Sequence, residues 1–171
     1  YSAGSGEATN SIQQSTAENF AHPQLRDSAQ LQTGGALLDA RFLSKTFGRT
    51  SQTTANLTSD LGWAVYSGPS SPIPIIRNEE LVLLRAEANL QLNNLSAALD
   101  DINFVRVTSG GLPALPAFGS QAAGFDALLY ERRYSLLYEW GHRWIDMRRY
   151  GRLNQLSIDR PGDLVYPTFP I

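Results

Sequence analysis

Residues 131–151, with the sequence ERRYSLLYEWGHRWIDMRRYG, concentrate the side chains most able to do chemistry. Glu131 and Glu139 are two carboxylates of the kind that serve as general acid and base in glycoside hydrolysis. On a single helix, a spacing of eight positions separates their Cα atoms by about 12 Å. Catalytic carboxylates lie roughly 5–9.5 Å apart across a cleft, not along one rod. The spacing therefore argues against an enzyme, and we predict a protein without catalytic activity.

His142 and Asp146 have the i, i+4 spacing that could supply two metal ligands from one helix face. Such pairs are common by chance, no HExxH pattern occurs, and no third ligand lies nearby. The chain has no cysteine, which removes disulfides, thiol catalysis and cysteine–metal sites. We predict no metal and no cofactor.

A structural role explains the charged block better, because buried charged residues are usually paired. Glu139 and Arg143 have the i, i+4 spacing of a helical ion pair. The remaining charged residues of the predicted ion-pair network are expected to tie this helix to its neighbours: Glu131, Arg132, Asp146 and Arg148.

The composition limits the partners of the chain. Its 171 residues suit one domain or a piece of a larger protein. A formal net charge of −2 gives no bulk attraction to nucleic acid, and acidic residues are interleaved among the arginines from Arg132 to Arg152. No nucleic-acid partner is predicted. No apolar run reaches the ~18 residues of a membrane span. Because the first residue is Tyr1, we expect that an N-terminal segment has been removed or is not included in this sequence.

The chain divides by composition into two parts. Residues 1–71 are predicted to form a loop-rich arm and binding-type segment. Small polar residues up to about Asn19 indicate an extended arm, and residues 22–72 are expected to stay loop-like except for a short strand in LGWAVYSG, residues 61–68. Residues 72–171 are predicted to be helical.

The first predicted helix begins near Asn78, which can cap it, and carries Glu79 and Glu80 in its first turn. Its apolar residues form two stripes, so we expect a helix sandwiched between neighbours. One stripe is Leu81, Leu84, Ala88 and Leu92, and the other is Val82, Ala86 and Leu90.

A second helix, SAALDDINFVRV, is expected to be capped by Ser96. The spacing of Ala86, Leu95, Ala98 and Ile102 is that of a tetratricopeptide helix pair, although only one copy is present.

A third helix is predicted over residues 125–140, interrupted by Gly141, with a fourth in HRWIDMRRYG. Aliphatic and aromatic residues, among them Tyr134 and Trp140, occupy more than half of the circumference of the third helix. We therefore expect this helix to be largely buried, Trp140 included, and its charges to find partners there.

These motifs, in this order, resemble the C-terminal part of the SusD/RagB family. They are an extended proline–isoleucine entry, a helix with an Ala–Glu pair, an ALDDINFVR helix, the block at residues 131–151 and a closing FPI. The sequence departs from the family pattern at Ser135, where glutamate is usual, and at His142. The matching residues are Arg77, Ala86, Glu87, Ile102, Asn103, Arg106, Glu131, Arg132, Glu139, Arg143, Asp146, Arg149, Gly151, Phe169, Pro170 and Ile171.

The resemblance implies a mostly α-helical fold with tetratricopeptide-like helix pairs, a long loop-rich N-terminal portion and few short strands. It further implies a lipoprotein on the outer-membrane surface that binds a glycan or peptide nutrient without cleaving it. The implied partner is a SusC-like TonB-dependent transporter, and membrane attachment would be through a lipid anchor absent from this chain. The alternative is a SusD-like helical interaction module that serves another complex as an accessory subunit without binding sugar.

Glycan binding requires exposed aromatic faces with polar groups around them. The candidates outside the predicted helices are Trp63 and Tyr66, with Asn56 and Asp60 close by in sequence, and Phe118 in a Pro/Gly-rich loop. The competing explanation is that Trp63 packs a loop onto the core, as most tryptophans do.

Overall fold

A computed structural model describes residues 19–68 and 71–159. Contacts divide the chain into two units, Tyr1–Ile75 and Ile76–Ile171. The predicted extended arm lies, apart from its last residue, outside the described residues, as do the closing residues 169–171 of the family resemblance.

The first unit is built around a β-hairpin with two short helices before it. The helices are α1 (Gln24–Asp27) and α2 (Ala40–Lys45), and the antiparallel strands are β1 (Thr46–Thr54) and β2 (Leu57–Trp63). Ala55 and Asn56 form the connecting turn with φ of 49° and 68°, the positive values that a two-residue hairpin turn of type I′ requires.

The expectation that residues 22–72 are loop-like apart from one short strand was wrong. The predicted strand ends at Trp63 and begins earlier than expected, at Leu57, and a second strand pairs with it. The sequence of β1, TFGRTSQTT, is mostly exposed and has no apolar alternation, so the period-2 signal of a half-buried strand is missing. Pairing with β2, not its own burial, makes this segment a strand.

The core of the first unit is small and includes the aromatic residues Phe42, Trp63 and Tyr66. Beside it, Asp39 caps α2 by accepting a 2.9 Å hydrogen bond from the backbone N–H of Arg41. The Arg41 guanidinium also pairs with the Asp39 carboxylate at 2.6 Å, and both side chains are buried. This pair fixes the entry into α2, because neither buried charge is left without a partner.

The second unit is helical. It contains α3 (Asn78–Gln91), α4 (Leu95–Thr108), α5 (Gln121–Ser135), α6 (His142–Arg149) and a 3₁₀ helix at Leu153–Gln155. The first three helices contact one another and enclose the main core. This arrangement confirms the predicted mostly helical fold with helix pairs. The fully buried core residues are Leu83, Ala86, Leu90, Ala98, Ile102, Val105 and Leu128.

Helix α3 buries one side only, so the expectation of a sandwiched helix was wrong for the described part of the chain. Leu81, Leu84 and Leu92 are 53%, 52% and 72% exposed. Helices α4 and α5 both pack on the side that carries Leu83 and Leu90. The N-cap is also one residue earlier than predicted, at Arg77 instead of Asn78.

Helix α5 begins and ends earlier than predicted. Ser120 caps its start by accepting a hydrogen bond from the backbone N–H of Ala123 at 3.2 Å. The helix ends at Ser135, and the following turn has positive φ at Tyr138, Trp140 and Gly141. This turn leaves Trp140 61% exposed, so its predicted place in a buried arc was wrong. None of the helices in the described ranges is both long and apolar enough to cross a bilayer.

Candidate functional site

The charged block forms a set of buried ion pairs that join helices of the second unit. At its centre, Arg132 of α5 donates to Glu87 of α3 at 2.6 Å and to Asp146 of α6 at 2.9 Å. All three residues are less than a tenth exposed. One guanidinium thus connects three helices, which suits the planar, multi-donor geometry of arginine.

Two residues near the end of α6 complete the surroundings of Glu87. The Tyr150 hydroxyl donates to one oxygen of this carboxylate, and the Arg149 guanidinium lies 3.1 Å from the same oxygen. Burial, followed by the hydrogen bond to Glu87, raises the pKa of Tyr150 above its usual value. Burial also raises the pKa of Asp146, although the Arg132 guanidinium opposes that shift.

A second buried link joins α4 to α5. Arg106 donates from Nη1 to Glu131 at 3.0 Å and from Nε to the backbone carbonyl of Pro113 at 2.7 Å. Glu131 is fully buried. Arg106 therefore links α4 to α5 and also holds the loop that follows α4.

Glu139 pairs with Arg77, and not with Arg143 as its spacing suggested. The distance from Arg77 Nε to the Glu139 carboxylate is 2.5 Å. Because α5 ends at Ser135, positions 139 and 143 do not share one regular helix, so their i, i+4 spacing does not bring them together. Arg143 instead lines a cavity beside α5. Of the other predicted members, Arg148 lies with its guanidinium 5.9 Å from the ring centre of Trp144.

The arrangement leaves Glu131 and Glu139 poorly suited to acid–base catalysis. Each carboxylate is buried and has a guanidinium within hydrogen-bonding distance. Neither faces an open cleft where a substrate could reach it. Across residues 19–68 and 71–159, no group of three or more His, Cys, Asp or Glu side chains is arranged to hold a metal.

The predicted ligand-binding residues are distributed over both units. Trp63 and Tyr66 are buried, with 6% and 7% exposure, so their ring faces are covered by the first unit itself. Asn56 is exposed in the hairpin turn. Phe118 belongs to the second unit and packs, partly buried, against the core enclosed by α3, α4 and α5.

Asp60 lies on β2 and accepts two hydrogen bonds from one nitrogen of Arg26, at 2.9 and 3.0 Å. The hydrogen bond from Arg26 lowers the pKa of Asp60 below its usual value. The carboxylate is therefore already occupied, although about half of its side chain stays exposed.

A cavity beside α5 was not predicted from the sequence, although the spacing of residues on α5 carries a signal for it. Asp126, Tyr130 and Arg133 follow an i, i+4, i+7 pattern, which places them on one helix face. They line a cavity of about 200 Å³ together with Leu129, Arg143 and Gln155. The contributions of α6 and of the 3₁₀ helix depend on tertiary packing and carry no local signal.

The sequence model of the SusD family matches residues 11–163, which is most of the chain. A solved SusD superfamily protein from Bacteroides vulgatus ATCC 8482 has a similar fold, with a TM-score of 0.63 and 19% sequence identity. The match covers 84% of this chain but 38% of that protein, so the chain spans less than half of its length. No curated protein matches the chain significantly.

The family match extends over both units and includes the whole charged block and the helices it joins. The solved protein independently supports the same fold. The chain therefore belongs to the SusD family, whose members are non-catalytic nutrient-binding proteins.

Proposed function

We propose that this chain takes part in non-catalytic binding of a glycan or peptide nutrient at the outer-membrane surface. The nutrient would pass to a SusC-like TonB-dependent transporter, and a lipid anchor would hold the protein at the membrane, as the family resemblance implies. The observation that carries the proposal is the family match over residues 11–163. The pairing of Glu131 and Glu139 with arginines supports binding without cleavage.

Within the first unit, we assign sugar contact to the exposed side of the hairpin. Asn56 presents an amide at the turn, and Asp60 remains half-exposed beside Arg26. A buried Trp63 or Tyr66 cannot stack on a sugar without a rearrangement, so their part in binding is to hold the hairpin in place. Phe118 is partly exposed and remains a candidate stacking surface in the second unit.

The test is calorimetric titration of the chain with a panel of neutral oligosaccharides and short peptides. Asn56→Gly removes the amide while keeping the positive φ that this turn position needs. Asn93→Gly is a matched control, because Asn93 is also exposed and has a φ of 59° in the second unit.

Loss of one neutral hydrogen bond is worth about 0.5–1.5 kcal/mol, so we expect Asn56→Gly to weaken affinity by roughly two- to tenfold. Asn93→Gly should bind as the unmodified chain does. If the unmodified chain and both variants bind with equal affinity, the amide of Asn56 is not part of the binding site. If a ligand is recovered in shortened form, the chain cleaves it, and the proposal of binding without cleavage is contradicted.

The exposed apolar residues of the second unit favour a second candidate function, that of an accessory interaction module without sugar binding. Leu81, Leu84 and Leu92 of α3 are exposed, and so are Trp144 and Ile145 of α6, at 44% and 51%. Exposed apolar surface that exceeds isolated residues is typical of interaction sites. A chain that binds a transporter or another protein but produces no heat with any nutrient would support this function.

A further inference from the structure

The cavity beside α5 has an unusual balance of charge. Two of its six lining residues are arginines, Arg133 from α5 and Arg143 from the first turn of α6. Its single acidic residue, Asp126, is paired with Arg152 at 2.7 Å. The negative charge of Asp126 is therefore already compensated, while two arginines, Arg133 and Arg143, line the same space.

Arg143 is the less satisfied of the two arginines. Across the described ranges its guanidinium makes no hydrogen bond and no ion pair. Burial, followed by the positive charge of Arg133, lowers the pKa of Arg143 to about 10. The Asp146 carboxylate acts in the opposite direction, but Arg132 already donates to it. Burying a positive charge beside a like charge is unfavourable, so an anion bound next to Arg143 in the cavity would offset this cost.

The remaining walls are suited to the organic part of such an anion. Leu129 lines the cavity and is 5% exposed, so only a small apolar area of its side chain reaches the space. The Tyr130 ring is held by the Tyr134 ring, with their centres 4.9 Å apart. Gln155, on the 3₁₀ helix, adds an amide. An apolar patch, a fixed aromatic ring and a few convergent polar groups are the usual components of a small-molecule pocket.

The size and donor set of the cavity narrow the ligand class. Its volume of about 200 Å³ is several times that of one water, which is about 30 Å³ in the liquid. It is smaller than the roughly 300–1,000 Å³ of drug-sized pockets. Guanidinium groups match carboxylates through two parallel hydrogen bonds.

We propose that the cavity formed by Asp126, Leu129, Tyr130, Arg133, Arg143 and Gln155 binds the carboxylate of a small acidic ligand. The carboxylate can belong to a sugar acid or to a small organic acid, since both present the same group to the two arginines. This site lies in the second unit and does not depend on neutral nutrient binding at the hairpin, so either proposal can fail without the other.

The test is calorimetry of the full chain with four probes: sodium glucuronate, sodium acetate, sodium sulfate and glucose. Saturable binding of glucuronate, with no binding of glucose, is the expected result. Acetate that binds as well as glucuronate would show that the carboxylate alone is recognised. Tighter glucuronate binding would identify a sugar acid. Binding of glucose as strong as glucuronate, or preference for sulfate, would overturn the proposal.

Arg143→Gln and Arg133→Gln remove the charges one at a time, and Arg85→Gln is the control. Arg85 is a surface arginine on α3 already paired with Asp101 at 2.6 Å. Hydrogen bonds to charged groups are worth about 1.5–3 kcal/mol, so each cavity variant should weaken glucuronate binding by about tenfold or more. The Arg85→Gln chain should bind as the unmodified chain does. Unchanged affinity in both cavity variants would contradict the proposal.

Arg143→Gln relieves repulsion from Arg133, so its melting temperature should not fall by more than about two degrees. Folding is checked in the same experiment by the temperature at which helical circular dichroism is lost. If a variant does not fold, the melting temperature of the unmodified chain still tests the proposal. Glucuronate should raise its melting temperature progressively with concentration and glucose should not; no rise with glucuronate would overturn the proposal.

Discussion

At the scale of single residues, the charged side chains of the second unit are organised around carboxylates with several partners each. Glu87 accepts from Arg132 and Tyr150 and lies next to Arg149. A buried carboxylate needs such partners, because an isolated buried charge costs several kcal/mol. The charged side chains of this block therefore neutralise one another inside the fold, and these interactions contribute to the free energy of folding.

Tyr150→Phe tests the edge of this network and should change stability in a pH-dependent way. Loss of the hydroxyl should lower the free energy of unfolding at neutral pH by about 1 kcal/mol. The pKa of Tyr150 is raised in the folded state, so the folded chain retains a proton that the unfolded chain loses above pH 10, the usual tyrosine value. Stability should therefore fall as pH rises above 10, and this part of the fall should be absent in the variant.

Urea unfolding at a series of alkaline pH values measures both effects. Equal pH slopes for Tyr150→Phe and the unmodified chain would mean that the phenol is not linked to folding.

That these charged residues tie helices together was predictable from the sequence. The partner of each one was not. Glu131, Arg132 and Asp146 were predicted to tie helices together, and each has a partner from another helix. Pairing by i, i+4 spacing failed for Glu139 and Arg143, because that rule holds only inside a continuous helix. Pairs such as Glu87 with Arg132 are 45 positions apart and have no local signal.

At the scale of elements, α5 packs tightly against α3 at Gly124. A Cβ atom built on this glycine would overlap the Leu90 side chain of α3 and lie 3.3 Å from Phe118. Glycine within a helix usually costs stability relative to alanine. Here the small residue is needed so that α5 can pack against α3.

Gly124→Ala should destabilise the second unit despite the better helix propensity of alanine. Overpacking of a filled core costs about 1–3 kcal/mol, against a propensity gain of about 1 kcal/mol. We expect a lower free energy of unfolding from urea denaturation followed by helical circular dichroism. Gly119→Ala is the control, because an added Cβ there meets no atom within 4 Å. A Gly124→Ala chain as stable as the control would show that Leu90 yields without cost.

Element boundaries and helix faces were predictable only in part. Existence and order of the four helices of the second unit followed from apolar periodicity, but the predicted caps Asn78 and Ser96 were wrong, because the N-caps are Arg77 and Asn94. The end of α5 at Ser135 did not, because its turn is made by Tyr138 and Trp140 with positive φ, which side-chain type does not indicate. The exposed stripe of α3 was misassigned for a related reason: periodicity identifies apolar faces but not which face a neighbour covers.

At the scale of the whole molecule, the chain combines a hairpin unit with a helical unit whose ion pairs join separate helices. The mostly helical fold and the family were predictable, because motif order along residues 72–159 carries them. The ligand-binding residues stay a prediction: the aromatic candidates were expected to be exposed, and Trp63 and Tyr66 are buried. A tryptophan in a loop-like sequence gives no indication of whether tertiary packing will cover it.

The central claim is that the charged block holds the helical unit together, and Arg132→Ala tests it most directly. Arg152→Ala is the control, since it breaks a 2.7 Å pair whose carboxylate, on Asp126, is 58% exposed. The measurement is the free energy of unfolding in urea, followed by helical circular dichroism. We predict a loss of about 3–5 kcal/mol for Arg132→Ala, because Glu87 and Asp146 lose a buried partner, and less than about 1 kcal/mol for Arg152→Ala. Equal small losses in the two variants would contradict the claim.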